Sequence, residues 1–204
     1  MLMVSINKHS YKIVGIQRLS KKKMNIVLTG FMGTGKSKIG KRLATELRMG
    51  YLDTDELIEK REKDSISAIF KKRGEEYFRR LETKVVKEVA LLDNFVISTG
   101  GGVVLREGNI RLLKKNAFIV CLFASPEVIL KRTEGDDNRP LLEVNNQKKR
   151  IEELLALRKP YYDKADLKID TSTLDSKKVV AEIIEFLGKE EIFRRTKLVQ
   201  NDNR

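Results

Sequence analysis

Short apolar runs alternate with helical periodicities along most of the chain. Residues 25–29 (NIVLT), 50–53 (GYLD), 95–98 (FVIS), 117–123 (AFIVCLF) and 167–170 (LKID) are continuous enough in apolar character to read as buried strands. Between them, Ile39, Leu43 and Leu47 recur four apart in a helix that starts at Ser37. Phe78, Leu81, Val85, Val89 and Leu92 mark another helix, and Val179, Val180, Ile183, Ile184 and Leu187 give the last one its apolar face. Ser125 and Pro126 supply an N-cap and a first helical position for a helix over 126–133. Strands separated by helices predict an α/β chain with a five-stranded parallel sheet flanked by helices on both sides. No internal repeat is visible.

One domain, 24–188, is expected between two charged ends. Residues 1–23 hold six basic residues and no acid, and Met24 stands directly before the first strand. This stretch reads as a flexible basic extension or as the product of an upstream start, and its scarcity of Arg and Ser argues against a transit peptide. Residues 189–204 read as a charged tail that frays or forms one loose helical turn. Of the formal charge of +13, the two ends carry +6 and +2, which leaves about +5 for the domain. That mild excess fits an anionic small substrate, and no recognition helix or aromatic stacking motif points to nucleic acid. No apolar run approaches the roughly 20 residues of a membrane helix and no secretory segment opens the chain, so a cytoplasmic setting is expected. The lone Cys121, inside AFIVCLF, reads as a buried core thiol.

GFMGTGKS, residues 30–37, fits G-x-x-x-x-G-K-[ST] and lies between a strand and a helix, the context this phosphate-binding loop requires. Its glycines let backbone N–H groups turn toward phosphate oxygens, and the helix N-terminus adds partial positive charge. Gly33, Thr34, Gly35, Lys36, Ser37 and Lys38 are the candidate ATP-binding residues. Lys36 is expected at the β- and γ-phosphates and Ser37 at a bridging Mg²⁺. The N-K-x-D segment of guanine-specific switches does not follow the loop.

Acceptor chemistry must lie elsewhere. Asp53 and Asp55 of YLDTDEL are two apart, which in extended backbone puts both carboxylates on one face. Such a pair is cheap only when solvated, shared with a cation or kept for proton transfer. Gly100, Gly101 and Gly102 follow the strand FVIS, where a ligand can lie against bare backbone. FRRLE offers Arg79, Arg80 and Glu82, and LRKPYY offers Arg158 just before Pro160, which is expected to stop its helix. Two converging arginines would hold an acidic substrate. Arg139, in the polar loop TEGDDNRPLL, would suit a mobile flap over a transferring phosphoryl group.

Taken in order, GFMGTGKS, LDTD, FRRLE, STGGGVV, NRPLL and LRKPYY resemble the shikimate kinase family over roughly residues 24–188. The resemblance implies a three-layer P-loop kinase fold with a lid loop. It implies transfer of the ATP γ-phosphoryl to the 3-hydroxyl of shikimate, on the chorismate route to aromatic amino acids. By the same resemblance Asp53 joins the Mg²⁺ shell through water, and Asp55 binds the acceptor hydroxyls and takes the proton. Arg79 and Arg158 grip the carboxylate, Glu82 holds Arg79, and Gly101 with its neighbours Gly100 and Gly102 meets the ring. Arg132 lies over adenine near Asp170–Ser172, and Arg139 is the lid arginine. A monomer acting on ATP and shikimate, without nucleic-acid or membrane partners, is expected. Kinases for gluconate or a nucleoside monophosphate are the nearest alternatives, and an ATPase that binds nucleic acid through its basic tail is a more distant one.

Overall fold

The five apolar runs are strands at the expected bounds in the computed structural model, which describes residues 24–135, 140–142 and 144–201, with the backbone alone for 190–201. They are β1 (Asn25–Thr29), β2 (Gly50–Asp53), β3 (Phe95–Ser98), β4 (Ala117–Phe123) and β5 (Leu167–Asp170). The sheet order is β2-β3-β1-β4-β5, and every pairing is parallel. Among the described residues, seven α-helices connect and cover the strands: α1 (Lys36–Leu47), α2 (Thr54–Glu62), α3 (Ile66–Val89), α4 (Glu107–Lys114), α5 (Pro126–Thr133), α6 (Gln147–Tyr162) and α7 (Ser176–Asn201). Among the described residues, none of these is long and apolar enough to cross a membrane.

Strand alternation sorts the core into layers. Val27, Ile97, Ile119 and Cys121 face Ile58, Phe78, Val85, Val86 and Leu113 from α2, α3 and α4. Their neighbours Ile26, Leu28, Val96, Val120 and Leu122 face Ile39 and Leu43 of α1 and Val179, Val180 and Ile183 of α7. Each such side chain contributes about 1.5–3 kcal/mol on burial, so a register slip would be opposed at every strand. A third cluster joins Phe31, just after β1, to Ile129 of α5, to Ile151 and Leu154 of α6, and to Leu142. It fastens the two helices over the carboxyl ends of the strands. Leu28, Ser98 and Asp53 are register partners across β1, β3 and β2, so these ends fall level. Ligands of open parallel sheets bind at that edge.

Three expectations are corrected. Pro160 does not stop its helix, because α6 runs through it to Tyr162, whose buried ring and hydroxyl bond to Gly101 hold the last turn by tertiary contact. The helix marked by Phe78 begins twelve residues earlier, at Ile66, and is broken at Gly74, where φ 77 and ψ 169 interrupt the pattern. The final helix does not end near 188; its backbone continues to Asn201. The expectations for residues 1–23 and 202–204 lie outside the described residues.

Cys121 is buried, at 1% exposure, and burial pushes its thiol up to about 11. The thiolate is the reactive form. A disulfide reagent at pH 8 is therefore expected to leave the native protein unmodified and to titrate one equivalent after unfolding in guanidinium. Rapid native labelling would contradict this burial.

Candidate active site

The loop after β1 turns back over the sheet through three glycines with positive φ, Gly30 (131°), Gly33 (76°) and Gly35 (90°). At Gly30 room matters as well, since a Cβ there would run into the carbonyl oxygen of Leu122. Gly35 is the N-cap of α1 and supplies no side chain, which leaves the first N–H groups of the helix directed at the loop. Lys36 is 9% exposed, and its Nζ donates to the carbonyls of Gly30 and Phe31, both at 2.9 Å. Thr34 is buried and donates to Phe31 O, while Ser37 and Lys38 lie at the surface of the first turn.

Asp53 and Asp55 do not share a strand face. β2 ends at Asp53, and Asp55 lies in the first turn of α2. Asp53 is the N-cap: its Oδ1 accepts from the Asp55 N–H at 3.0 Å, and its Oδ2 accepts from Ser37 Oγ at 2.8 Å and Tyr51 OH at 3.3 Å. Burial and the Asp53 carboxylate push the Tyr51 phenol up to about 12, so it remains a donor. A hydroxyl and a carboxylate in contact form a hard-oxygen pair suited to Mg²⁺. Among the described residues no group of three or more His, Cys, Asp or Glu could hold a metal. The pair therefore fits an ion held largely by water and phosphate.

The glycines after β3 need space rather than unusual backbone angles, for none of the three has positive φ. A Cβ on Gly100 would come within 2.6 Å of Asp55 Oδ1 and 2.9 Å of Glu82 Oε1, and one on Gly102 would collide with the Arg79 guanidinium. The Gly100 N–H donates to Thr54 Oγ1, and Gly101 O accepts from Tyr162 OH at 2.6 Å and from Arg158 NH1 at 3.3 Å. Burial pushes the Tyr162 phenol up to about 12, against the pull of Arg158. Thr54 and Tyr162 were missed as positioning residues, although LDTD and LRKPYY contain them.

Arg79 and Arg158 are both buried, at 6% and 2% exposure, whereas Arg80 is exposed beside the Tyr77 ring. Arg79 NH1 donates to both oxygens of the fully buried Glu82 at 3.0 and 3.2 Å. Burial pushes the Glu82 carboxyl up, and Arg79 pulls against it. Arg158 lies over the Phe31 ring, 5.3 Å from its centroid. Lys36, Asp55, Arg79, Glu82, Arg158 and the three glycines converge on one cavity of about 90 Å³, which Phe70, Phe78 and Leu141 help to close. Such a cavity offers two cations for an acid, a carboxylate for a hydroxyl and a lysine for phosphate.

Arg132, at the end of α5, donates to Gly33 O, Thr171 Oγ1 and Thr171 O, so the segment after β5 is tied to the phosphate loop. Thr171 itself donates to Thr34 O at 3.1 Å. Arg139 lies outside the described residues.

A family model described as shikimate kinase matches residues 32–188. The chain belongs to the shikimate kinase family. Shikimate kinases of Thermoanaerobacter pseudethanolicus and Caldanaerobacter subterraneus subsp. tengcongensis are 49% and 51% identical to it over 160 residues, covering 78% of this chain and 94% of each relative. Among solved structures, a shikimate kinase from Acinetobacter baumannii in complex with shikimate has a TM-score of 0.80 at 36% identity, over 82% of this chain and 94% of that one. Like other shikimate kinases, the chain is an ATP-dependent phosphotransferase of the P-loop kinase fold.

Proposed function

We infer that this chain transfers the γ-phosphoryl group of ATP to the 3-hydroxyl of shikimate, giving ADP and shikimate 3-phosphate. The observation that carries the reading is the convergence of two buried guanidinium groups with Lys36 and Asp55 on one cavity beside the phosphate loop. The N–H groups of residues 33–38 and Lys36 hold the β- and γ-phosphates. Ser37 directly, and Asp53 through water, would hold Mg²⁺. When bound, the ion neutralises charge between the two phosphates. Arg132 and the Asp170–Ser172 segment border the adenine.

Arg79 and Arg158 receive the acceptor carboxylate, Glu82 fixes Arg79, and the Gly100–Gly102 backbone bears on the ring. Asp55 then orients the 3-hydroxyl. As the oxygen–phosphorus bond forms and the bond to ADP breaks, Asp55 takes the hydroxyl proton. Arg139 serves as the lid arginine that meets the transferring group. The catalytic domain is 24–188, and the enzyme acts as a cytoplasmic monomer without a nucleic-acid partner.

The test is ADP release by the purified chain with ATP and Mg²⁺ against shikimate, gluconate and nucleoside monophosphates, with the product weighed by mass spectrometry. Phosphorylation of shikimate alone, abolished by EDTA and restored by Mg²⁺, is expected. Phosphorylation of gluconate without shikimate would overturn the assignment.

A further inference from the structure

The two arginines of the cavity differ in how their donors are employed. Among the described residues, the Nε–H of Arg158 is buried without a partner. Arg79 is engaged on two sides. Glu82 takes NH1, and Oε1 of Glu75 accepts from Nε at 3.2 Å and from NH2 at 2.9 Å. The Nε–NH2 side is an edge by which a guanidinium receives a carboxylate through two parallel bonds. One of the chain's own carboxylates therefore occupies an edge, on an arginine of the cavity, of the kind by which an acidic acceptor is held.

The two glutamates on Arg79 are not equivalent. The Glu82 side chain is 0% exposed, whereas that of Glu75 is 49% exposed. An ion pair open to water to that degree shifts an equilibrium by less than about fivefold, so it is releasable, while the buried Glu82 pair is not. Backbone geometry puts Glu75 in place. It follows directly on Gly74, where α3 breaks at φ 77 and where a Cβ would meet nothing within 4 Å. Glycine there serves the turn, and the turn sets Glu75 at the head of the second half of the helix, one turn before Arg79.

We propose that Glu75 is a specificity-determining residue, an internal carboxylate that occupies the Nε–NH2 edge of Arg79 and yields it to the carboxylate of the acceptor. This rests on the acceptor reading above. An anion that reaches Arg79 alone only exchanges one carboxylate for another. An acceptor that also satisfies the open Nε–H of Arg158 gains a second charged contact and displaces Glu75. The device screens out small anions and limits how tightly the acid is held.

Calorimetric binding of shikimate to Glu75→Gln and to wild type tests this, with Glu76→Gln as control. Glu76 carries the same charge next door but pairs with Arg106. Glu75→Gln is expected to bind shikimate about three- to fivefold more tightly, the worth of the released pair. The gain should appear in KM rather than kcat, and sulfate should become a stronger competitor. Shikimate methyl ester, which has no carboxylate to exchange, should bind both proteins alike. Unchanged or weaker shikimate binding by Glu75→Gln overturns the proposal, as does an equal gain in Glu76→Gln, which would make the effect one of general charge. A wild-type chain that takes no shikimate would overturn the acceptor reading itself.

Discussion

Asp55→Asn is expected to lower kcat by roughly a hundredfold or more, the range over which a positioned proton acceptor contributes, with ATP affinity within about twofold of wild type. The substitution is nearly isosteric. The Asp55 N–H still bonds to Asp53 Oδ1, because that contact is backbone, so the start of α2 and the Ser37–Asp53 pair are left intact. What changes is the charge packed against Gly100 in the cavity. An asparagine can accept a hydrogen bond from the acceptor hydroxyl but cannot keep its proton. Because phosphoryl transfer passes through a loose transition state, much of the loss reports orientation as well as basicity. Steady-state kinetics and nucleotide calorimetry on the same preparation separate the two substrates. Turnover within tenfold of wild type would remove Asp55 from the mechanism.

The stretch around that residue was only partly legible in the sequence. The acid pair in LDTD was identifiable, but the alternation argument assumed that the strand continued through it. Thr-Asp-Glu instead begins a helix whose cap is Asp53, so a strand-to-helix junction separates the two carboxylates and the Asp53 side chain meets Asp55 at its backbone N–H. The strands themselves were legible because parallel strands buried on both faces are continuous apolar runs, and no competing pattern overlays them. The extent and buried face of helix α6 were not legible, for its buried stripe reads Ile151, Leu154, Arg158, Tyr162 and so places a charged residue where periodicity demands an apolar one. Binding function and helix packing use the same face there. Arg79 could not be told from Arg80 by composition or spacing. Their separation into a buried and an exposed residue depends on the rotation of α3 after the break at Gly74. Contacts made by Thr54 and Tyr162 to the glycine run join elements distant in sequence, and nothing local announces them.

Gly102→Ala should raise the KM for shikimate by roughly a hundredfold, as misplacing one member of a buried, hydrogen-bonded charge contact costs about 2–5 kcal/mol. Gly102 has φ −100, so alanine is permitted by the backbone and the penalty is purely one of space. Its Cβ would overlap the Cζ, NH1 and NH2 atoms of Arg79. A long side chain usually swings aside at little cost, but this one is 6% exposed, bonded through NH1 to a carboxylate that is itself fully buried and through Nε and NH2 to Glu75. Retreat of the guanidinium strips Glu82 of its partner, and retreat of the loop moves Gly101, which Arg158 and Tyr162 hold. Either way the two cations no longer converge. Gly101→Ala is the informative comparison, since its Cβ would meet Gly30 O at 3.3 Å and Arg158 NH1 at 3.5 Å, tight contacts that shifts of a few tenths of an ångström relieve. Gly100→Ala would instead strike Asp55 and Glu82 and is expected to lower kcat as well as affinity. Kinetics of the three variants, with thermal melts to confirm folding, should therefore rank Gly101→Ala mildest and split the other two between kcat and KM. Equal effects at all three positions would mean that the loop responds as a flexible whole, and the separate duties assigned to the carboxylate floor and the arginine rim would not stand.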